Sequence, residues 1–414
     1  MFAKYKKSGI KVDLKALRKL CSLKTPEANY DVVIVGGGIV GNTLASLLCF
    51  YCHSILNICI KFSKITNFAY SIKIPAKSKL TSHLKTLILE KTPNSPKNGG
   101  FDVRVYAINH FSRSVFESIN AWNFFSGKTP YKKMEIYDCL LKGRLKFIAG
   151  ELTYNKLDNL GHIVEDKILS NVLSNLNENK TYFLKNDEKT KYLNCEKPNF
   201  GQNPPVVKIG NKEINAKLII GADGANSVVR KAFGFEYNKK EYGKMAVVAT
   251  VKHEKNKILT CYQRFIDDGP IGILPLNEET SSVVWSTSSQ HAQKLLRMAD
   301  GDFIDELNRF LTVKLSKNAE NQPKCISSTF WGELSQVFTN LFPGINDDKS
   351  GFPPSMISVV GKRAGFPLSK AICPSTAKKR IVLIGDSAHS IHPLAGQGLN
   401  MGIRDAFLLH REIE

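Results

Sequence analysis

The sequence lacks a stretch long and apolar enough to cross a bilayer. Its best candidate, Leu47 to Ile60, is short, contains His53 and Asn57, and runs into Lys61 and Lys64. A disulfide framework is missing as well: nine cysteines, an odd count without regular spacing, argue for reduced thiols. Cys49-Phe-Tyr-Cys52-His53 has the spacing of a c-type haem attachment, but it falls where a helix should run and nothing nearby suggests a haem pocket. No metal-ligand spacing, hydrolytic triad or acid–base pair stands out. The chain is also short of acid, with 37 acidic against 58 basic residues and a net charge of +21. Such a surplus suits nucleic acid, an anionic membrane surface or an organelle address. The lysines are scattered, and no Arg/Lys block with interleaved aromatics appears, so no nucleic-acid partner is expected.

What remains is ordinary for a soluble globular protein, 43% apolar and 23% charged. At 414 residues the chain exceeds one typical core, which points to two domains or one interleaved α/β unit. Residues 1–30 are basic, with Lys4, Lys6, Lys7, Lys11, Lys15, Arg18, Lys19 and Lys24 against Asp13 and Glu27. Leu14, Leu17 and Leu20 fall at helical spacing among them, the pattern of a mitochondrial presequence. The excess of Lys over Arg leaves a disordered basic tail as the other reading.

Asp31 to Val35 reads as a buried strand, and Gly36-Gly37-Gly38-Ile39-Val40-Gly41 follows at once, opening a helix. That context makes G-x-G-x-x-G a dinucleotide motif. Gly36 serves the tight turn, Gly38 lets a pyrophosphate reach the backbone, and Gly41 lets the helix pack closely. An acidic residue about 20 positions on should hold the ribose hydroxyls. Glu90, closing Thr86-Leu-Ile-Leu-Glu90, is the natural candidate, yet it lies 49 residues after Gly41. Removing Cys49 to Pro75 restores a spacing of 22, so this segment reads as an insertion foreign to the fold, with a membrane span as the rival.

Two further corners resemble the first in kind. Ile214 to Ile220 pairs in hairpin fashion with Val206 to Ile209 and ends in Gly221-Ala-Asp223-Gly224, then a Ser227-capped helix carrying Arg230. Arg380 to Ile384 is a short β-branched strand ending in Gly385-Asp386, an acceptor placed where open α/β sheets bind ligands. A loop with Pro393, Gly396 and Gly398 follows, then a helix from Leu399 whose first N–H groups suit a partial negative charge. His389 and His392 in this loop read as structural. Between these corners, Met245 to Lys252, Thr260 to Phe265, Gly269 to Leu276 and Ser281 to Ser286 alternate as an antiparallel sheet.

The stretch Asp386-Ser-Ala-His-Ser-Ile-His-Pro393-Leu-Ala-Gly396-Gln397-Gly398-Leu399-Asn400 resembles the second flavin motif of the FAD-dependent aromatic-ring hydroxylases, most closely the ubiquinone-biosynthesis monooxygenases. That resemblance implies an α/β fold, a Rossmann-like FAD-binding domain of the p-hydroxybenzoate hydroxylase type interleaved with an antiparallel-sheet substrate domain. The FAD-binding parts would be 31–115, 160–235 and 362–414, the substrate parts 116–159 and 236–361. It further implies that Asp386 holds the ribityl chain and that Pro393, Gly396, Gln397, Gly398, Leu399 and Asn400 border the flavin ring. Arg104 would reach FAD, and Asp223-Gly224 would contact FAD and, in many members, a pyridine nucleotide.

The implied activity is hydroxylation of a polyprenylated phenol with O2, by way of a flavin hydroperoxide. Electrons would come from a ferredoxin or NAD(P)H. The implied setting is a ubiquinone-biosynthesis complex on the matrix face of the mitochondrial inner membrane, bound at the membrane surface. The family continues with further helices past the position of Glu414. A same-fold FAD reductase or oxidase, or a non-catalytic isoform serving as a complex subunit, are the alternative readings.

Overall fold

Val32-Val33-Ile34-Val35 is apolar at every position because both faces of its strand are covered. Val32 and Ile34 enter one core, Val33 and Val35 the other. In the computed structural model, the described residues are 27–49, 81–91, 101–138, 144–151, 158–184, 205–266, 268–312, 353–391 and 396–414. The expected leader up to residue 26, residues 50–75 of the expected insertion, and His392 and Pro393 therefore lie outside the described residues.

The chain starts with β1 (Asn29–Val35), α1 (Ile39–Cys49) and β2 (Thr86–Glu90), then β3 (Val105–Ile108) and α2 (His110–Ser118). β4 (Thr129–Tyr131), β5 (Lys133–Asp138), β6 (Arg144–Ile148) and β7 (Gly161–Glu165) lead to α3 (Asp166–Leu176) and β8 (Thr181–Phe183). The hairpin of β9 (Val206–Ile209) and β10 (Lys212–Gly221) precedes α4 (Val228–Ala232). Next come β11 (Asn238–His253), β12 (Thr260–Ile266), β13 (Gly269–Pro275) and β14 (Thr280–Ser288), then α5 (Ser289–Arg297) and α6 (Asp300–Thr312). β15 (Met356–Ile372), β16 (Ala377–Lys378), β17 (Ile381–Leu383), β18 (His389–Ser390) and α7 (Gln397–Ile413) complete the described chain.

Three sheets result. The first has seven strands in the order β16-β17-β10-β1-β2-β8, with β9 added to β10. Its strands β17, β10, β1, β2 and β8 are parallel, and α1, α3 and α7 pack on one face. Ile403, Ala406 and Phe407 of α7 join Leu44 and Leu48 of α1 in that core. Each fully buried large side chain there contributes about 1.5–3 kcal/mol. The second sheet has eight strands in the order β18-β15-β11-β14-β13-β12-β5-β6, antiparallel except for β12 against β5. Helices α5 and α6 cover one of its faces through Ala292, Leu295, Phe303 and Leu307. The short β3-β7-β4 sheet lies between the two, and Ile163 of β7 meets Cys261 and Leu276 of the second sheet.

The architecture is the interleaved α/β arrangement the resemblance implies, but the chain crosses between halves at other points. Residues 362–372 still pair with β11 as part of β15, so the return to the first sheet falls after Ile372. Phe116, Ile119, Trp122 and Phe125, expected in the substrate half, pack into the core shared by α1 and α3. The cause is local: the run begins in α2, whose Val115 and Phe116 already lie on that core, and continues directly past its end.

Candidate functional site

Parallel pairing brings Leu89, Val35, Gly221 and Leu383 side by side across β2, β1, β10 and β17. The three turns singled out by sequence thus leave the same edge of one sheet. Gly36 has φ of +109°, and a Cβ there would stand 2.3 Å from the Ala222 carbonyl oxygen, so only glycine fits. At Gly41 a Cβ would lie 2.0 Å from the Gly36 carbonyl oxygen, whereas Gly38 faces open space. Glu90 reaches this turn despite its distance in sequence. Its Oε2 accepts from Gly37 N–H at 2.6 Å and its Oε1 from Lys91 N–H at 2.7 Å.

At the second corner, Asp223 Oδ2 accepts from the N–H groups of Val228 at 2.6 Å and Val229 at 3.2 Å, capping α4. Its Oδ1 is buried and has no partner among the described residues. Gly224 beside it has φ of +79°. Arg230 was read as a cation at a phosphate-side corner, but it is 4% exposed and braces the fold. Its guanidinium donates to Ser387 O at 2.9 Å and Ala225 O at 2.6 Å and lies 3.6 Å from the Tyr237 ring centroid. Arg230 therefore ties the second corner to the third.

In the third corner Ser387 Oγ donates to Gly221 O at 2.6 Å, while Asp386 stays exposed. The surrounding protein still crowds this carboxyl, and the loss of solvation pushes it above the ordinary range, opposed by His389 and Arg104. Arg104 and Asp386 are therefore neighbours in space. Tyr106, with Asp166 and Asp102, holds the Arg104 guanidinium charge firmly in place against the penalty of burial. Tyr106 donates its hydroxyl to Asp166 Oδ1 at 3.1 Å.

Gly396 is the N-cap of α7, in the left-handed region, and offers no side-chain cap, so the helix begins on backbone alone at Gln397, Gly398 and Leu399. Asn400 is only 3% exposed. Its Nδ2 donates to Ala107 O at 2.8 Å, and its Oδ1 accepts from Ser112 Oγ at 2.8 Å. Its side chain fastens α7 to β3 and α2, which leaves the backbone as its contribution toward the loop. Two residues, Gly402 and Asp405, escaped the sequence reading. A Cβ at Gly402 would meet Val40 at 2.7 Å and Gly385 at 3.2 Å, and a glycine inside an otherwise good helix was the available signal. Asp405 and His389 form the other missed contact, at 2.6 Å, which raises the histidine's proton affinity.

The face of the second sheet turned away from α5 and α6 carries Gln263, Gly272, Val284, Val248 and Ala364 in register across five strands. Cys261 and Leu274 on this face meet Ala107, whose Cβ is 3.6 Å from the Cβ position at Gly396. The row therefore lies on the side of its sheet that meets β3 and, through Ala107, approaches Gly396. Among the described residues there is no cluster of metal-ligating side chains, and no helix is long and apolar enough to cross a membrane.

Comparison with known proteins agrees with this geometry. The FAD binding domain family model matches residues 167–327 and 357–413. Ubiquinone biosynthesis monooxygenase COQ6, mitochondrial, of Xenopus tropicalis is 32% identical over 398 residues, covering 93% of this chain and 77% of that protein. The Homo sapiens protein of the same name is 30% identical over 401 residues, covering 91% and 75%. Among solved structures, Pseudomonas aeruginosa PqsL in complex with 2-aminobenzoylacetate is 14% identical with a TM-score of 0.60, covering 93% of this chain and 86% of that one. p-Nitrophenol 4-monooxygenase PnpA of Pseudomonas putida is 14% identical with a TM-score of 0.57, covering 94% and 80%. With its three corners, its parallel and antiparallel sheets and its relatives, the chain belongs to the FAD-dependent monooxygenases of ubiquinone biosynthesis.

Proposed function

We propose that this flavoprotein monooxygenase hydroxylates the aromatic ring of a polyprenylated phenol precursor of ubiquinone. The observation that carries the reading is the alignment of three turns and Glu90 at one edge of the parallel sheet. FAD fits the residues present. Gly36 and Gly41 let the first turn close tightly, Gly38 leaves room for a pyrophosphate over it, and Glu90 stands at the ribose position. The unpartnered Asp223 Oδ1 is a buried acceptor awaiting a donor, with Gly224 opening the turn beside it. Asp386 accepts from the ribityl chain and Arg104 steadies it. Pro393, Gly396, Gln397, Gly398, Leu399 and Asn400 border the ring, where the helix dipole at the N-terminus of α7 favours negative charge.

FAD, when bound, supplies the oxidising chemistry with O2. The protein's part is to bind and orient the cofactor, to exclude water, and to seat the phenol against the row from Gln263 to Ala364. A ferredoxin or NAD(P)H delivers the electrons, and the enzyme works within a ubiquinone-biosynthesis complex. The relatives are named mitochondrial, and an apolar prenyl tail resides in lipid, so the enzyme sits peripherally on the matrix face of the inner membrane. Its surplus of positive charge favours that anionic surface, and release of the membrane-bound fraction by high salt without detergent tests the location.

The test of function is FAD titration of the full chain, followed by product analysis with 18O2. Asp386→Ala should weaken FAD binding about twofold to tenfold, the value of one lost hydrogen bond. Unchanged affinity removes Asp386 from the site, and a hydroxyl oxygen not drawn from O2 overturns the reaction class.

A further inference from the structure

One oxygen of Asp405, on α7, takes two hydrogen bonds from the third corner. Its Oδ2 accepts from Gly385 N–H at 2.9 Å and from His389 Nε2 at 2.6 Å. Those two donors bracket Asp386, one immediately before it and one a turn after. The carboxylate thus holds the short Gly385–Ser387 turn from its first residue and from just beyond its last, while Asp386 between them is exposed. Hydrogen bonds to an ionised acceptor are about twice as strong as neutral ones, so the grip is firm. It also fixes the His389 tautomer, with Nε2 as the donor.

We propose that Asp405 and His389 are positioning residues for Asp386: the pair holds the turn that presents its carboxylate and sets the His389 ring beside it. The proposal rests on Asp386 as a contact of the flavin's ribityl chain. Asp405 faces His389 from α7, and Asp386 faces it from the turn itself. Arg104 faces Asp386 from the approach to β3. Arg230 lies behind the turn, where it is spent on Ser387 O and Ala225 O. β15 pairs with this segment through Ala371 and Ile372, which are uncharged. The Asp405 hydrogen bond favours the proton on His389 against the penalty of burial, and Asp386 adds to it. Burial in turn favours a proton on Asp386, which His389 and then Arg104 oppose.

The experiment is the dissociation constant of FAD from the full chain, by fluorescence quenching between about pH 5 and 8, where the histidine is charged over the acid part of the range. Affinity should fall on the acid side as Asp386 takes up a proton. His389→Gln retains a donor toward Asp405 but removes the charge, so that acid limb should move to higher pH. Asp405→Asn should lower affinity about twofold to tenfold at neutral pH as well, because the turn loses its ionised acceptor. An acid limb that stays put in His389→Gln, while Asp386→Asn weakens binding, overturns the positioning role and leaves the FAD reading intact. Wild-type affinity in Asp386→Asn overturns the reading of Asp386 instead. Should His389→Gln not fold, as judged by circular dichroism, Asp405→Asn carries the same test. Removing the anion that keeps the imidazole protonated must then also shift the acid limb.

Discussion

In the nucleotide half, the chain returns three times to one edge of a parallel sheet, at Gly36, Asp223 and Gly385, and each return is a turn with a glycine at positive φ in or beside it. In the antiparallel half, the face turned away from α5 and α6 carries Gln263, Gly272, Val284, Val248 and Ala364, residues that any antiparallel sheet could hold. A cofactor gripped through backbone groups constrains where the main chain goes, and only glycine or a capping carboxylate meets such constraints. A substrate recognised by the shape of a sheet face imposes only volume and polarity. The first kind of site marks its sequence strongly, the second faintly.

The largest effect should come from the tightest backbone contact. Gly41→Ala places a methyl 2.0 Å from the Gly36 carbonyl oxygen, which neither backbone can yield without opening the turn. Overpacking of this kind typically destabilises by about 1–3 kcal/mol, enough to lower FAD affinity by up to about a hundredfold. Flavin content on purification and FAD titration both report it. Full occupancy in Gly41→Ala would mean that the first turn does not hold the pyrophosphate.

The same contrast explains how much could be read from the chain alone. Glu90 was found by a spacing argument across Cys49 to Pro75, and the structure seats it on Gly37 N–H at 2.6 Å because β2 pairs with β1 whatever lies between them. The hairpin of β9 and β10 was visible through its turn residues. β15 was not. Its 17 residues run largely exposed beside β11, so no alternation of buried and polar positions betrays them, and Arg363 to Leu368 reads as a connector. Arg230 misled in a different way. A cation one turn into a capped helix looks like an anion contact, and only the packing of Tyr237 and Ser387 against it reveals a brace. Asp405 escaped because its partners, Gly385 and His389, are contacts across elements that no local pattern encodes.

A second substitution sharpens the contrast from the other side. A Cβ at Gly272 would meet nothing closer than Val284 O at 3.8 Å, so Gly272→Val fits the strand and projects from the face turned away from α5 and α6. FAD affinity should stay within about twofold, while hydroxylation falls about tenfold or more because the reacting ring is displaced. Parallel loss of FAD affinity and turnover would show that the two halves do not divide the work as described.

The smallest effect is expected where the substrate half is braced on its helix-covered side. Asp268 sits between β12 and β13 and accepts from Ser288 N–H at 3.0 Å, at the start of α5, and from the Thr287 hydroxyl. Thr287 Oγ1 also bonds His291 Nδ1 at 2.9 Å, and burial holds that imidazole below its ordinary range despite Asp268 and Glu306. Burial works against the charge on Asp268, but the bonds from Thr287 and Ser288 outweigh it and hold the carboxyl below its usual value. A carboxyl depressed in the folded state stabilises fully above its unfolded value, near pH 4, and loses that contribution as pH falls through the folded one. Asp268→Ala should therefore lower unfolding free energy by about 1–2 kcal/mol at neutral pH, with the difference narrowing only below about pH 4. Urea denaturation of wild type and variant across that range reads it directly. FAD affinity should be unchanged, since Asp268 belongs to the helix-covered side of its sheet; a variant that lost flavin would join the two halves through α5.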